Sequence, residues 1–492
     1  MDLKNYFYLT LCILYILSLV FILLYSIGAF TLTRFYIRAQ KRKSAFSNES
    51  GKEKPTSKVL IQLPIYNEKY VVERLIERVC RLDYPRELLQ IDVLDDSDDS
   101  TSAVISSKVD EYARQGINIQ HKKRENRTGY KAGALKHFMD DSDCDFIVVF
   151  DADFVPPSNF LSYLLPHFKD NDIGMIQSRW GHLNQEQSLL TKLQALALNF
   201  HFTVEHQGRS EGDYFMNFNG TAGIWRKECI QDAGGWSDKT LTEDLELSYR
   251  AQLKGWKFKY VSEIVSDAEL PATMQALKVQ QYRWNKGGAQ CFKQLLKPVI
   301  RSKSMTFYQK LFALMHLFGS TIYVFIFTVF VLCFVMVLLR PDSQLIDATL
   351  TFSSVFVIST LLLCYSYWVS WKESEGHSKK RFLRNFFLYL AFTSGLSFYN
   401  LTAVLSGYFS KNSEFKRTPK FNIKEVSQAK HTTYFNPKIS YHLIIEIFLA
   451  LLFLSGMLNS LYYLDIATFL FFSLITMGFG CVSFYQIKEL RI

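Results

Sequence analysis

Apolar runs divide the chain into a patterned polar middle and two hydrophobic ends. Tyr6 to Phe30 carries no charged residue, and Arg34, Arg38, Lys41, Arg42 and Lys43 follow it. The run is too long for a signal-peptide core and lacks a small-residue cleavage site, so it predicts a transmembrane helix within residues 1–33. Residues 34–57, basic and then rich in Ser, Lys, Glu and Gly, read as a linker. From Val59 the period changes. Val59–Leu63, Leu89–Leu94 and Phe146–Phe150 are short apolar runs that end in proline or acidic residues, with helical patterns such as Val71–Cys80 between them. Strands alternating with helices predict an α/β domain of parallel βαβ units over 58–270. In such sheets ligands bind at the carboxyl ends of strands, where this chain places its acidic residues. A helical stretch follows Pro271, giving interfacial helices over 271–310. Two spans are expected in 311–370 (Leu311–Leu339 and Thr349–Val369) and two in 441–486 (Tyr441–Tyr462 and Ile466–Tyr485), each near the ~20 residues that cross hydrocarbon. Residues 371–440 lie between these pairs, and 487–492 form a tail.

Charge decides the sidedness. The basic flank after Phe30 predicts an outside N-terminus and a cytoplasmic domain. The apolar stretch Phe386–Phe409 has Lys372, Lys379, Lys380, Arg381 and Arg384 before it, and Lys411, Lys416, Arg417, Lys420, Lys424 and Lys430 after it. Crossing would put one basic cluster outside. The stretch is therefore expected to lie in the interface or re-enter, leaving five spans and a cytoplasmic C-terminus, although it is long enough to cross. The net charge of +10 is explained by these juxtamembrane residues facing anionic headgroups, which argues against a nucleic-acid partner. The eight cysteines show no zinc spacing and read as reduced thiols.

The chemistry lies in an ordered series of motifs. Asp151-Ala-Asp153 follows a strand, and two carboxylates there repel unless a cation neutralises them. Mg²⁺ or Mn²⁺ held by Asp151, Asp153 and substrate phosphates answers this. An acidic turn is the bland alternative, disfavoured by the strand-end position and the two other acidic motifs. Asp95 and Asp96 end another strand, where they would accept hydrogen bonds from a base or ribose or simply form a turn. Asn126 to Leu135 combines glycines with Arg127 and Lys131 at a helix entrance, which suits phosphate oxygens. Thr242-Glu243-Asp244 opens a helical pattern. Thr242 reads as an N-cap and the acids as dipole partners, but a carboxylate beside the glycine-rich Phe218-Asn219-Gly220-Thr221-Ala222-Gly223 can also serve as a general base. Gln280, Arg283 and Trp284 share a helix face at i, i+3 and i+4. Arg can clamp a diphosphate and Trp can stack on a sugar, or the two can anchor an interfacial helix.

The motifs LPIYNE, DDSDDST, GYKAGAL, FDADF, FNGTAGIWR, AGGW, TED and QQYRW, between about Val59 and Lys420, together resemble the processive family-2 glycosyltransferases, and most of all the cellulose synthase-like A and C mannan and glucan synthases. The resemblance implies a GT-A-type (Rossmann-like) α/β domain on the cytoplasmic side of an α-helical membrane protein, in a bacterial inner or Golgi-like membrane. It implies Asp244 as catalytic base, Asp95, Asp96, Lys131, Asp151, Gln280 and Arg283 on the donor, and Asp151 and Asp153 on Mn²⁺ or Mg²⁺. Trp284, Asn219, Gly220, Thr221 and Glu243 fall on the acceptor. Phe415-Lys416-Arg417-Thr418-Pro419-Lys420 is similar to a gating loop, with Arg417 where cellulose synthases have valine, so Phe415, Arg417, Thr418 and Lys420 are expected over the donor site. The short run after Tyr485 matches no C-terminal cyclic-di-GMP-binding domain, and no zinc-binding RING precedes the first span. The function implied is inverting, processive synthesis and translocation of a β-linked (β-1,4) glucan or mannan from UDP-glucose or GDP-mannose onto a growing polysaccharide at the bilayer. A glycolipid synthase adding one hexose to ceramide or diacylglycerol shares the donor motifs. A dead transferase fold would have eroded Asp153, Asp244 or Arg283, which are intact.

Overall fold

The computed structural model describes residues 3–43, 56–140, 142–340, 343–410, 417–422, 434 and 438–491. Its centre is a seven-stranded sheet in the order β3-β2-β1-β4-β6-β5-β7. The strands are β1 (Val59–Ile65), β2 (Leu89–Asp95), β3 (Ile119–Lys123), β4 (Phe146–Val149), β5 (Ile173–His182), β6 (Gly223–Arg226) and β7 (Lys257–Ala268). The sheet is mixed, not wholly parallel as the alternation of elements predicts: β6 runs antiparallel to both β4 and β5. With only four residues, β6 is too short to carry a period that reveals its direction. The reversal has a use. Val149 of β4 pairs with Gly223 of β6, so the segment entering β6 emerges at the same edge where β4 ends.

Strand β1 continues through Pro64, which the sequence reading takes as its end. Its pairing with β4 stops at Gln62, so the missing amide hydrogen costs no bond on that side. The sheet is covered on both faces. Leu63, Leu75, Val93 and Phe150 belong to one buried cluster, and Leu135, Met175, Trp225 and Leu247 to the other.

Among the described residues, six helices are long and apolar enough to cross a membrane: Leu3–Arg42, Gly319–Leu339, Gln344–Ser374, Lys379–Phe409, Tyr441–Tyr462 and Ile466–Leu490. The first continues as helix into the expected linker as far as Lys43 and reaches the domain built on the sheet, where Arg42 pairs with Glu211. At Gly208 a Cβ would lie 2.4 Å from Leu32 O, so only glycine lets the domain touch this helix backbone. Helix Lys379–Phe409, the ambiguous segment of the sequence, meets domain-side elements at both ends. Arg381 lies 3.6 Å from Glu186, and Tyr408 O accepts from Lys293 Nζ at 3.1 Å. Midway, a Cβ on Gly395 would fall 2.2 Å from Gly478 O, so this helix crosses helix Ile466–Leu490 backbone to backbone.

Candidate active site

The strand ends β1, β2 and β4, the entry to β6, the ends of β5 and β7, and helix Met274–Arg301 surround one cavity of about 170 Å³. At one side Arg127 holds its guanidinium 3.3 Å above the Tyr66 ring. Asp96 lines this side and is paired with Arg124 at 2.5 Å. Its neighbour Asp95 does not reach the cavity. The Asp95 side chain is fully buried and accepts bonds from Ser97 N at 2.9 Å and Ser102 Oγ at 2.5 Å, with His121 Nε2 at 2.8 Å. Burial would raise its pKa, but these hydrogen bonds from His121, Ser102 and Ser97 outweigh it and hold the carboxyl at about 2. Of the expected acidic pair, one residue faces the site and the other builds the turn behind it.

The centre is a compact charge cluster. Lys131, on the helix entered through Gly129 (φ +71°), donates to Asp151 Oδ1 at 2.5 Å and Gly220 O at 2.8 Å and stands 4.0 Å from Glu243. Burial alone would lower this lysine. The Asp151 and Glu243 carboxylates reverse that and raise it. Asp151 N donates to Thr221 Oγ1 at 2.9 Å, so Thr221, itself buried, sets the Asp151 backbone and does not line the cavity. Gly220 has φ +79°, and a Cβ there would stand 3.0 Å from Asp244 Oδ2 and 3.4 Å from Lys131 Nζ. The left-handed backbone favours glycine, and a side chain there would press on the Asp244 carboxylate.

Asp244 occupies the first turn of helix Glu243–Leu253, its Oδ1 accepting from Leu245 N at 2.8 Å. Thr242 stands at the N-cap position without a side-chain cap bond; its hydroxyl lies 3.3 Å from Cys291 Sγ instead. Desolvation, and then the charge of Glu243, push Asp244 up to about 7. A carboxylate poised there can take a proton from a hydroxyl near neutrality. Gln280, Arg283 and Trp284 line the cavity from helix Met274–Arg301, whose Gly287 admits Thr242: a Cβ there would fall 2.5 Å from Thr242 Cγ2. Asn219 also lines the cavity and is held by His206 Nε2 at 2.9 Å and by Gln177 Oε1, which accepts from its backbone N–H at 3.1 Å.

Residues 417–422 lie across this cavity. Lys420 Nζ bonds Asp153 Oδ2 at 2.7 Å and Glu269 O at 2.6 Å, and Arg417 pairs with Glu68 at 2.9 Å. The Thr418 hydroxyl is buried in the lining with no hydrogen-bond partner among the described residues. Phe415 lies outside the described residues. Arg417, Thr418 and Lys420 therefore meet the acidic cluster from 150 residues or more further along the chain. The sequence reading missed Trp180, His182 and Glu269 as lining residues. The first two lie at the end of β5 and Glu269 follows β7, positions that carry no motif.

As metal ligands, Asp151 and Asp153 supply hard oxygens on one cavity wall. Among the described residues no group of three or more His, Cys, Asp or Glu forms a cage. Two carboxylates without a protein cage fit Mg²⁺ or Mn²⁺, which takes its other ligands from phosphate and water.

Residues 55–287 match the family described as "Glycosyltransferase like family 2". They form a family-2 glycosyltransferase domain. Among curated relatives, glucomannan 4-beta-mannosyltransferase 1 of Oryza sativa subsp. japonica is 41% identical over 265 residues, 53% of this chain and 51% of the relative. Glucomannan 4-beta-mannosyltransferase 2 of Arabidopsis thaliana is 42% identical over 265 residues, 53% of this chain and 50% of the relative. Probable glucomannan 4-beta-mannosyltransferase 11 of Arabidopsis thaliana is 40% identical over 284 residues, 56% and 64% of the two chains. The alignments thus span about half to two thirds of these relatives' length. The transferase domain also shares its fold with mannosyltransferase PcManGT from Pyrobaculum calidifontis, whose structure was solved in complex with GDP-Man and Mn²⁺. That likeness has a TM-score of 0.52 at 15% identity and covers 80% of this chain and 100% of the other.

Proposed function

We propose that this protein is an inverting membrane hexosyltransferase that extends a β-1,4-linked mannan or glucomannan from a nucleotide sugar and passes it across the bilayer. The observation that carries the reading is the convergence of Asp244, Asp151, Asp153, Lys131, Arg283 and Trp284 on one cavity. The mannosyltransferase names of the relatives favour a mannosyl over a glucosyl donor.

Asp244 takes the proton of the acceptor hydroxyl as that oxygen attacks the anomeric carbon. The bond from that carbon to the phosphate oxygen breaks, and the diphosphate leaves with the electron pair. Asp151 and Asp153 hold Mn²⁺ or Mg²⁺, which when bound supplies Lewis-acid stabilisation of the leaving diphosphate. Arg283 and Lys131 add positive charge on the same side, and Asp96, Arg127 and Tyr66 receive the nucleoside. Gln280 supports Arg283 from one turn before it. Trp284 stacks on the acceptor sugar, with Asn219, Gly220 and Glu243 around the acceptor. Asp95 and Thr221 act from behind the wall, on the turn and on the Asp151 backbone. Arg417, Thr418 and Lys420 close over the donor.

For the membrane, we read helix Lys379–Phe409 as interfacial, so that five helices cross and the domain is cytoplasmic. Length and composition alone count six candidates. The ends support the interfacial reading: the Arg381 end and the Tyr408 end both meet the domain side, whereas a crossing helix would separate them. The test is purified protein in lipid nanodiscs, given labelled GDP-mannose or UDP-glucose, with products sized and digested by endo-β-1,4-mannanase. Mannanase-sensitive polymer is expected, and an organic-soluble, single-sugar product contradicts the reading.

A further inference from the structure

Helix Met274–Arg301, which carries Gln280, Arg283 and Trp284, is held at its start by charged residues from two distant helices. Lys278 is 7% exposed at its side chain and Glu446 is 0% exposed. The Lys278 ammonium bonds both Glu446 oxygens at 2.6 and 2.7 Å and Gln486 Oε1 at 2.9 Å, and lies 4.8 Å from the Tyr399 ring. Gln486 Nε2 donates in turn to Glu446 Oε2 at 2.7 Å. One turn earlier, the Glu489 carboxylate accepts from the backbone N–H groups of Met274 and Gln275, the latter at 3.1 Å. Two carboxylates from helices Tyr441–Tyr462 and Ile466–Leu490 thus grip the first two turns of the motif helix.

Stability is a poor reason for this arrangement. A buried ion pair adds little over well-packed apolar residues, and its best-attested use is to fix register. Ionisable residues on spanning helices are costly and tend to serve function. The geometry supplies the function. At 3.6 residues per turn, Arg283, Gln280 and Trp284 lie roughly 140°, 200° and 240° around the helix from Lys278, so anchor and site occupy opposite faces. The rise from Lys278 to Trp284 is only about 9 Å. Downstream, Gly287 touches Thr242, beside Asp244, with no room for a Cβ.

We infer that Lys278 and Glu446 are positioning residues: their pair sets the axial and rotational register of the motif helix and so places Arg283 and Trp284 against Asp244. The inference rests on the proposed function. Its test is the double variant Lys278→Met with Glu446→Met, which removes both charges and leaves apolar chains of similar length. The thermal midpoint should be kept while kcat falls by about tenfold to a hundredfold, the scale on which misplacement by about 1 Å acts. A folded double variant with wild-type kcat overturns the inference. If that variant cannot be recovered folded, Glu446→Asp decides, because it keeps the charge and withdraws it by one methylene. A several-fold fall in kcat at unchanged thermal midpoint supports the inference, and unchanged kcat overturns it. Spin labels at exposed Lys297 and Ile439 separate this outcome from failure of the functional reading. A displaced distance distribution in the variant supports the register role even if the wild type transfers no sugar, and an undisplaced one overturns it.

Discussion

Asp244 sits where desolvation and Glu243 favour its protonated form, while Lys131 and the Leu245 amide favour the charged one. With the carboxyl raised to about 7, the rate should rise with pH as Asp244 loses its proton. At limiting divalent cation the acid limb of kcat/KM is expected near pH 7. It should move to lower pH as cation accumulates, because positive charge offsets Asp151. A rate flat from about pH 5 to 8 contradicts this. At Gly220, Ala should lower kcat by at least about a hundredfold, since the methyl meets both Asp244 and Lys131 and the backbone is left-handed. Near-normal turnover in Gly220→Ala would show that the Asp244 carboxylate tolerates displacement. At this scale the sequence was informative where chemistry imposes spacing, as in Asp151-x-Asp153 and Glu243-Asp244. It could not separate Asp95 from Asp96. Asp95 ends β2 and is buried in the turn while Asp96 lines the cavity, a choice set by tertiary packing and not by the local pattern.

Elements were legible where their period is strong: β1, β2, β4 and the motif helix lie close to their expected positions. The short antiparallel β6 was not, because four residues carry no period that reveals direction. Helix Lys379–Phe409 shows what charge bias and composition each capture. Its basic flanks speak for the interface, while its length and apolarity equal those of a span. Its buried stripe of Ala391, Ser394, Gly395 and Ser397 is the small-residue signature of close helix contact, and Gly395 packs on Gly478. Gly395→Leu is therefore expected to prevent assembly of the helical part, seen as loss of monodisperse protein in detergent. A well-folded, active variant would mean that this crossing can open.

Across the whole molecule, distant segments converge where no local pattern could reveal it. Lys278 finds Glu446 across 168 positions, and Lys420 finds Asp153 across 267. The order of motifs made the transferase domain readable, but the grip of the last two helices on the motif helix follows only from packing. The five-span reading has a direct consequence for sidedness. A cysteine at Tyr463, in the exposed turn between the last two helices, should react with an impermeant thiol reagent only from the face opposite the transferase domain. Labelling from the domain's own face contradicts that topology.

The central claim is that the cavity around Asp244 transfers a hexosyl group to a growing β-linked chain. Wild type and Asp244→Asn should be compared in nanodiscs for incorporation of label from GDP-mannose and, separately, for binding of GDP with Mn²⁺. Wild type is expected to form polymer that β-1,4-mannanase degrades. The variant should lose about 10²- to 10⁴-fold in rate while binding GDP as before. Undiminished incorporation by Asp244→Asn, or no incorporation by wild type from any nucleotide sugar, contradicts the claim.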